Sequence, residues 1–279
     1  MRMQKQIVVA AMAAVALGAI MPTVGRAAMI ASDNAADATY AGGWTYGSNG
    51  GSGFQPWAGG ANGSGIGGIG NCVSAEYPAG TGIATSSKAW TYVSGDSNSG
   101  AIATRAFTAN GGAGVGTLDV GQSVSFDVDS AYGSNGALGF SYVGSDDVSR
   151  FSFKFANSWP TGSVVAMDAS GSTNTGAQDM RTGIRTVFTL LSADTYSLDI
   201  IRPLNGTPVT TTYTGTLAGT SGAGIQYLQL FKENIGNGWG LANYNYAFNS
   251  LAVTSVPEPA SLTLLALGGL GLLARRRRA

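Results

Sequence analysis

The sequence predicts an all-β fold: a two-sheet antiparallel β-sandwich (jelly roll), flanked by an N-terminal signal helix and a C-terminal hydrophobic helix. Two observations predict the sandwich. Apolar residues recur at every second position in short segments along the chain, the period of a strand with one buried face. Between those segments stand Gly, Ser, Thr, Asn and Asp, the residues of tight reversals, and no capped amphipathic helix interrupts them. A third observation predicts the flanking helices, because an uncharged apolar run stands near each end with basic residues outside it.

These features divide the 279 residues into a signal segment 1–27, a body 28–255 and a tail 256–279. Gly occurs 43 times without a three-residue period, which excludes a collagen-like chain. Hydrophobic residues make up 44% of the sequence, more than a disordered chain carries. The net charge of zero is uneven: between Ala28 and Val256, 8 Lys and Arg face 14 Asp and Glu, so the body carries −6. An acidic body without a basic stripe gives nucleic acid no electrostatic footprint.

At the N-terminus, Arg2 and Lys5 precede a 14-residue apolar run from Ile7 to Ile20. Gly25 and Ala27 then place small side chains at −3 and −1 for cleavage before Ala28, the pattern read by Sec-type export machinery. The run is short of the roughly 20 residues that span a bilayer.

Within the body the alternations come in order. Ala89 to Val93 and Ala101 to Phe107 are followed by Ser123 to Asp129, which sets Val124, Phe126 and Val128 on one face. Ala137 to Val143 and Arg150 to Phe155 follow, the latter with three Phe on one face. Thr186 to Leu191, Tyr196 to Ile200, Tyr213 to Leu217, Ile225 to Phe231 and Tyr244 to Val253 complete the set. Asn135-Gly136, Asp146-Asp147, Ala193-Asp194 and Asn205-Gly206 supply reversals between them. Ten to twelve strands are expected. The phrase Tyr-Gly-Ser-Asn-Gly occurs at 46–50 and 132–136 without a surrounding repeat, so it marks two similar turns.

The tail carries the most specific pattern. Pro257, Glu258 and Pro259 keep the peptide out of regular hydrogen bonding and open to an enzyme. Leu262 to Ala274 is thirteen residues without a charge, and Arg275, Arg276, Arg277 and Arg278 hold the end on the cytoplasmic side. Gly268, Gly269 and Gly271 permit close helix packing.

This ending resembles the PEP-CTERM sorting signal of Gram-negative bacteria. The resemblance implies transient membrane insertion, recognition by a membrane-embedded exosortase, and tail removal near Pro257-Glu258-Pro259. It also implies a cell-surface or extracellular destination and association with exopolysaccharide or biofilm. A permanent single-span anchor is the alternative. Phrases of the body are similar to secreted proteins that bear this tail: Tyr40-Ala41-Gly42-Gly43-Trp44, Gly47 to Phe54 with Trp57, Val120 to Phe126, Asp194 to Leu198 and Thr214 to Gly219. Their likeness implies a concanavalin A-like jelly roll, as in lectin and glucanase domains, and no particular activity.

Chemistry is sparse. No His occurs, which removes His-based triads and ordinary catalytic zinc sites. The lone Cys72 rules out an intramolecular disulfide. A laminarinase-like enzyme would need Glu-x-Asp-x-x-Glu, yet the body has only Glu76 and Glu233, neither in that setting. Asp127 and Asp129 share a strand face and are the remaining carboxylate pair; a solvated outer face accounts for them. Gly65 to Gly70 fits a dinucleotide-binding glycine pattern but lacks its strand, helix and acidic partner. The expectation is a non-enzymatic protein with no catalytic residues and no resident metal or cofactor. Ca2+ has two candidate loops, Asp146-Asp147 with Ser145, and Asp168 near Asn174 and Asp179, which turn formation explains equally.

For carbohydrate binding the aromatic residues are the candidates. Trp44, Tyr46, Phe54 and Trp57 lie in one Gly-rich segment, and Trp239, Tyr244 and Tyr246 in another. Trp57 beside Pro56 and Trp239 beside Gly240 are the preferred sugar-stacking rings; the alternative is that these rings fill the core.

Overall fold

The computed structural model describes residues 27–62, 68–73, 82–83, 85–86, 88–93, 100–109, 114–130, 137–156, 163–176, 182–233 and 246–255. Among them are fifteen strands: β1 Met29–Asp33, β2 Ala58–Asn62, β3 Gly68–Val73, β4 Lys88–Val93, β5 Gly100–Ala106, β6 Gln122–Ser130, β7 Ala137–Gly144 and β8 Ser149–Ala156, then β9 Ser163–Asp168, β10 Gly171–Asn174, β11 Ile184–Leu190, β12 Thr195–Arg202, β13 Val209–Thr216, β14 Ile225–Glu233 and β15 Tyr246–Ser255. A single 3-10 turn, Ala38–Tyr40, interrupts them. Both flanking helices expected from sequence fall outside these residues, and no helix within them is long and apolar enough to cross a membrane.

Two antiparallel sheets form a sandwich. One sheet has the order β13-β12-β11-β6-β15-β4-β3, with β1 also paired to β15; the other has the order β10-β9-β8-β7-β14-β5-β2. Each of the ten sequence alternations overlaps a strand, with Tyr244 and Asn245 of the last one outside the described residues. The five strands beyond them are β1, β2, β3, β9 and β10. Gly68–Gly70 of the dinucleotide-like phrase lie in β3, antiparallel to β4, whereas a nucleotide fold needs a parallel strand there.

β15 shows how one strand serves two partners. Ser250 takes a left-handed φ of 55° and the register with β6 shifts between Asn249 and Ala252. This bulge divides the strand. Tyr246–Phe248 pair with β4, while Leu251–Thr254 pair with β1 along the same edge. Asn249 fills the break: its Oδ1 accepts from the Ala35 amide at 2.9 Å, and its Nδ2 donates to Ile83 and Lys88 carbonyls at 2.8 and 3.2 Å.

The core lies between the sheets and is largely aromatic. Val124, Phe126 and Val128 of β6 are buried, as the alternation requires, and so are Phe151, Phe153 and Phe155 of β8. Tyr142, Phe151, Phe188 and Tyr196 pack at centroid distances of 4.5–5.3 Å along Tyr142–Phe188–Tyr196 and Phe151–Phe188. Phe126 links Phe140 at 5.5 Å to Phe248 at 5.6 Å, joining this group to a tryptophan cluster. Rings at these spacings gain quadrupolar attraction beyond the area they bury.

Candidate functional site

The Gly-rich segment 41–57 brings Trp44 and Trp57 inward. Trp57 meets Trp44 edge-on at 5.0 Å, Trp90 at 5.6 Å and Phe248 at 5.8 Å, and is 1% exposed. The expected sugar-stacking role of Trp57 is therefore corrected: both faces of its ring are covered by protein. The neighbouring Pro56 marks a loop correctly, but the loop turns its ring inward. Trp44, Phe54 and Tyr246 are core residues too, and of the four rings of the first segment only Tyr46 is exposed. Trp239 and Tyr244 lie outside the described residues.

Beneath Trp57 sits a buried charged cluster that sequence reasoning missed. Arg105 is fully buried on β5, its guanidinium 5.2 Å from the Trp57 ring centroid and 5.4 Å from that of Phe54. It donates to Asp33 Oδ2 at 2.8 Å and to the carbonyls of Gly50 and Ser48 at 2.9 and 3.2 Å. Tyr40 donates to the same Asp33 oxygen at 2.6 Å and accepts from the Gly50 amide. Burial pushes the Asp33 carboxyl up and the Arg105 guanidinium down, and each charge opposes the other's shift. Burial and then Asp33 raise the Tyr40 phenol above its ordinary value. The arrangement ties β1, β5 and the glycine-rich segment together. Gly51 at φ 66° is part of it, since a Cβ there would lie 1.8 Å from the Ser32 carbonyl oxygen.

A second network joins turns. Buried Arg150 donates to the Ala218 carbonyl at 3.0 Å, to the Ala223 carbonyl, and to Asp194 Oδ1 at 2.6 Å. Asp194 also accepts from Ser221 Oγ at 2.5 Å and the Gly222 amide at 2.8 Å. These donors, Ser221 first, then Gly222 and Arg150, hold its carboxyl down at about 2.

Asp127 and Asp129 lie on the face of β6 opposite Val124, Phe126 and Val128, as alternation places them, but they are not solvated: they are 1% and 0% exposed. Both Asp127 oxygens accept from Arg185, at 2.6 and 2.8 Å. The candidate calcium loops use their oxygens in turns. Asp147 accepts from Tyr227 at 3.0 Å, Asp146 from the Val148 amide, and Asp168 from Ser170 and Tyr196. Asp179 is outside the described residues. Among the described residues no three His, Cys, Asp or Glu side chains converge as a metal site requires.

The outer face of the first sheet carries polar rows across β11, β12 and β13, with the buried Ser123 of β6 at their margin. Register places Ser123, Thr189, Ser197 and Thr214 in one row across β6, β11, β12 and β13. Ser125, Val187, Asp199 and Thr212 form the next row. Strands about 4.8 Å apart space the four hydroxyls of the first row. Ser123 and Thr189 are 2.8 Å apart, and Thr212 donates to Asp199 at 2.6 Å. Threonines at every second position, 210, 212, 214 and 216, are a sequence signal that could have marked this face. A crevice bordered by Ile30, Gly53, Phe107, Gln122 and Val253 holds about 10 Å³, the space of one water and too little for a sugar ring.

The expected sorting residues Pro257, Glu258, Pro259 and Arg275 to Arg278 lie outside the described residues. Residues 255–278 match the PEP-CTERM protein-sorting motif. Curated protein sequences give no match. Among solved structures, the chain is similar to a conserved carbohydrate esterase from the Shiga toxin-encoding bacteriophage phi24B, at 16% identity and TM-score 0.48, over 82% of this chain and 99% of that one. It is similar to the β-glucanase of Bacillus licheniformis at 14% identity and TM-score 0.38, over 75% and 95% of the two chains. The CBM2 module of the evolved Dit of Lactobacillus casei BL23 phage J-1 matches at 13% identity and TM-score 0.40, over 61% and 77%. These likenesses concern the β-sandwich fold.

Proposed function

We propose that this chain is a non-enzymatic exported protein of the cell surface or extracellular matrix, released or displayed through exosortase processing near Pro257-Glu258-Pro259 and associated with exopolysaccharide. One observation carries the reading: the sorting motif begins at residue 255, the last residue of β15. The tail thus follows the last strand of the sandwich, and its removal takes none of the described strands with it. The signal peptide at 1–27 supplies entry to the export path.

Intact-mass measurement of the surface protein tests the reading. Loss of Ala28-preceding residues and of Arg275 to Arg278 is expected; a surface product that keeps the four arginines overturns tail removal and leaves the permanent anchor. A second reading, a carbohydrate-binding module, is favoured by the hydroxyl row on the outer face of the first sheet, whose donors and acceptors match sugar hydroxyls. Retention on the organism's own exopolysaccharide, lost when Thr189, Ser197 and Thr214 are replaced by Val, supports it. A divergent glycoside hydrolase has weaker support, since both oxygens of Asp127 are engaged by Arg185.

A further inference from the structure

Seven large apolar side chains among the described residues are exposed, and five of them gather at one end of the sandwich: Met29, Val115, Val120, Val148 and Leu191. The connectivity places them together. Gly121, beside Val120, donates its amide to the Leu190 carbonyl, next to Leu191. Val148 stands in the β7–β8 turn, whose Ser145 amide donates to Gly224, and Leu118 bonds to the adjacent Ile225 carbonyl. Val115 bridges Thr108 at the end of β5, and Met29 pairs with Thr254 at the end of β15. The other two, Tyr46 and Val209, lie elsewhere: Tyr46 bonds Ile102 within β5, and Val209 starts β13 opposite Arg202.

The same end is where the chain leaves the body in both directions. Met29 begins β1 and Ser255 ends β15, and Met29 pairs with Thr254. The apolar segments 1–27 and 256–279 therefore both attach here. Scattered exposed valines and leucines need no explanation, but five around the attachment point of a membrane-seeking tail, in the β5–β6, β7–β8 and β11–β12 connections and at the start of β1, do.

We infer that this end of the body is a docking surface for the lipid bilayer that its tail enters, with Val115, Val120, Val148 and Leu191 seated at the headgroup boundary. The inference rests on the proposed tail insertion. The charges on this end specify the lipid. Asp119, Asp146, Asp147, Asp168 and Asp194 lie on its turns, and among the described residues its one cation is Arg150, buried and paired with Asp194. Carboxylates facing a negative leaflet repel it, so the surface suits zwitterionic headgroups.

The test uses the full chain reconstituted in phosphatidylcholine vesicles, with Cys72→Ser and a single fluorophore at Leu191→Cys or Val209→Cys. Acyl-brominated lipid is expected to quench the probe at 191, with a blue shift, and to leave the probe at 209 unchanged. Adding phosphatidylglycerol should reduce the response at 191. In the Val120→Ser, Val148→Ser background the response at 191 should be lost while the chain still floats with vesicles. Equal responses at 191 and 209, or a response at 191 that survives the serine variant, would mean that the tether alone holds the body, and would overturn the inference. Quenching between two labelled copies without an effect of bromolipid would overturn it in favour of self-association. A chain that does not float at all overturns tail insertion itself, whereas floating without quenching removes only this docking surface.

Discussion

Trp57 separates a core role from a binding role, and the structure sets the size of the effect. Replacing it with Ala removes a side chain that is 1% exposed and packed on Trp44, Trp90 and Phe248. Lost transfer energy and the cavity left behind amount to about 3–5 kcal/mol for a buried Trp. The ring also faces the guanidinium of fully buried Arg105 at 5.2 Å, and a desolvated contact of that kind adds roughly 1–2 kcal/mol. A total near 5 kcal/mol is a large part of the roughly 5–15 kcal/mol that stabilises a domain. With a urea slope of about 3 kcal/mol/M, the midpoint should fall by about 1.5–2 M. Trp57→Phe keeps a ring in place and should cost less than about 2 kcal/mol. Urea titration followed by far-UV circular dichroism, with polysaccharide retention measured in parallel, reads both quantities. If Trp57→Ala shifted stability by less than about 1 kcal/mol and abolished retention, the buried assignment would be refuted.

Three further outcomes are expected. Asp33→Asn strands Arg105 without its countercharge and should cost about 3–5 kcal/mol by urea titration, whereas Asp33→Leu combined with Arg105→Met should cost less than the two single changes summed. Gly51→Ala meets the Ser32 carbonyl at a left-handed φ and should lose about 1–3 kcal/mol, seen as a lowered midpoint; an unchanged midpoint would show that the segment can move aside. Asp194, held down at about 2 against an ordinary 3.8, contributes stability that is present above pH 4 and lost as pH falls toward 2. The melting temperature of the parent should therefore fall more steeply than that of Asp194→Asn over that window, and parallel curves would contradict the assigned network.

The sequence reveals strands where apolar residues alternate over at least five positions, and each of the ten such segments overlaps a strand of the sandwich. The strands it conceals lack that signal for physical reasons. β10 is Gly-Ser-Thr-Asn with every residue exposed, so no buried face marks it. β2 is Ala-Gly-Gly-Ala-Asn, in which two residues have no side chain to alternate. Buried charge is concealed in the same way. Asp33, Arg105 and Arg150 look like surface residues in their local sequence because their partners lie 72, 55 and 44 residues away, a separation no local pattern reports. The tail was legible because its order of elements, Pro-Glu-Pro, apolar run and arginines, is itself the pattern that the sorting motif matches.

Under the export path proposed above, the place of β15 has a consequence for how the chain leaves the cell. It lies in the interior of the first sheet, with β6 on one edge and β4 and β1 on the other, yet it is the last strand of the body to be made. A chain threaded through a channel from its N-terminus must leave that slot vacant until residue 255 has passed. Closure of the sandwich then waits on nearly complete translocation, since these pairings join distant parts of the chain and cannot form early. On that path the chain would stay open enough to be threaded for as long as threading is required, and would lock only once residue 255, where the sorting motif begins, has passed.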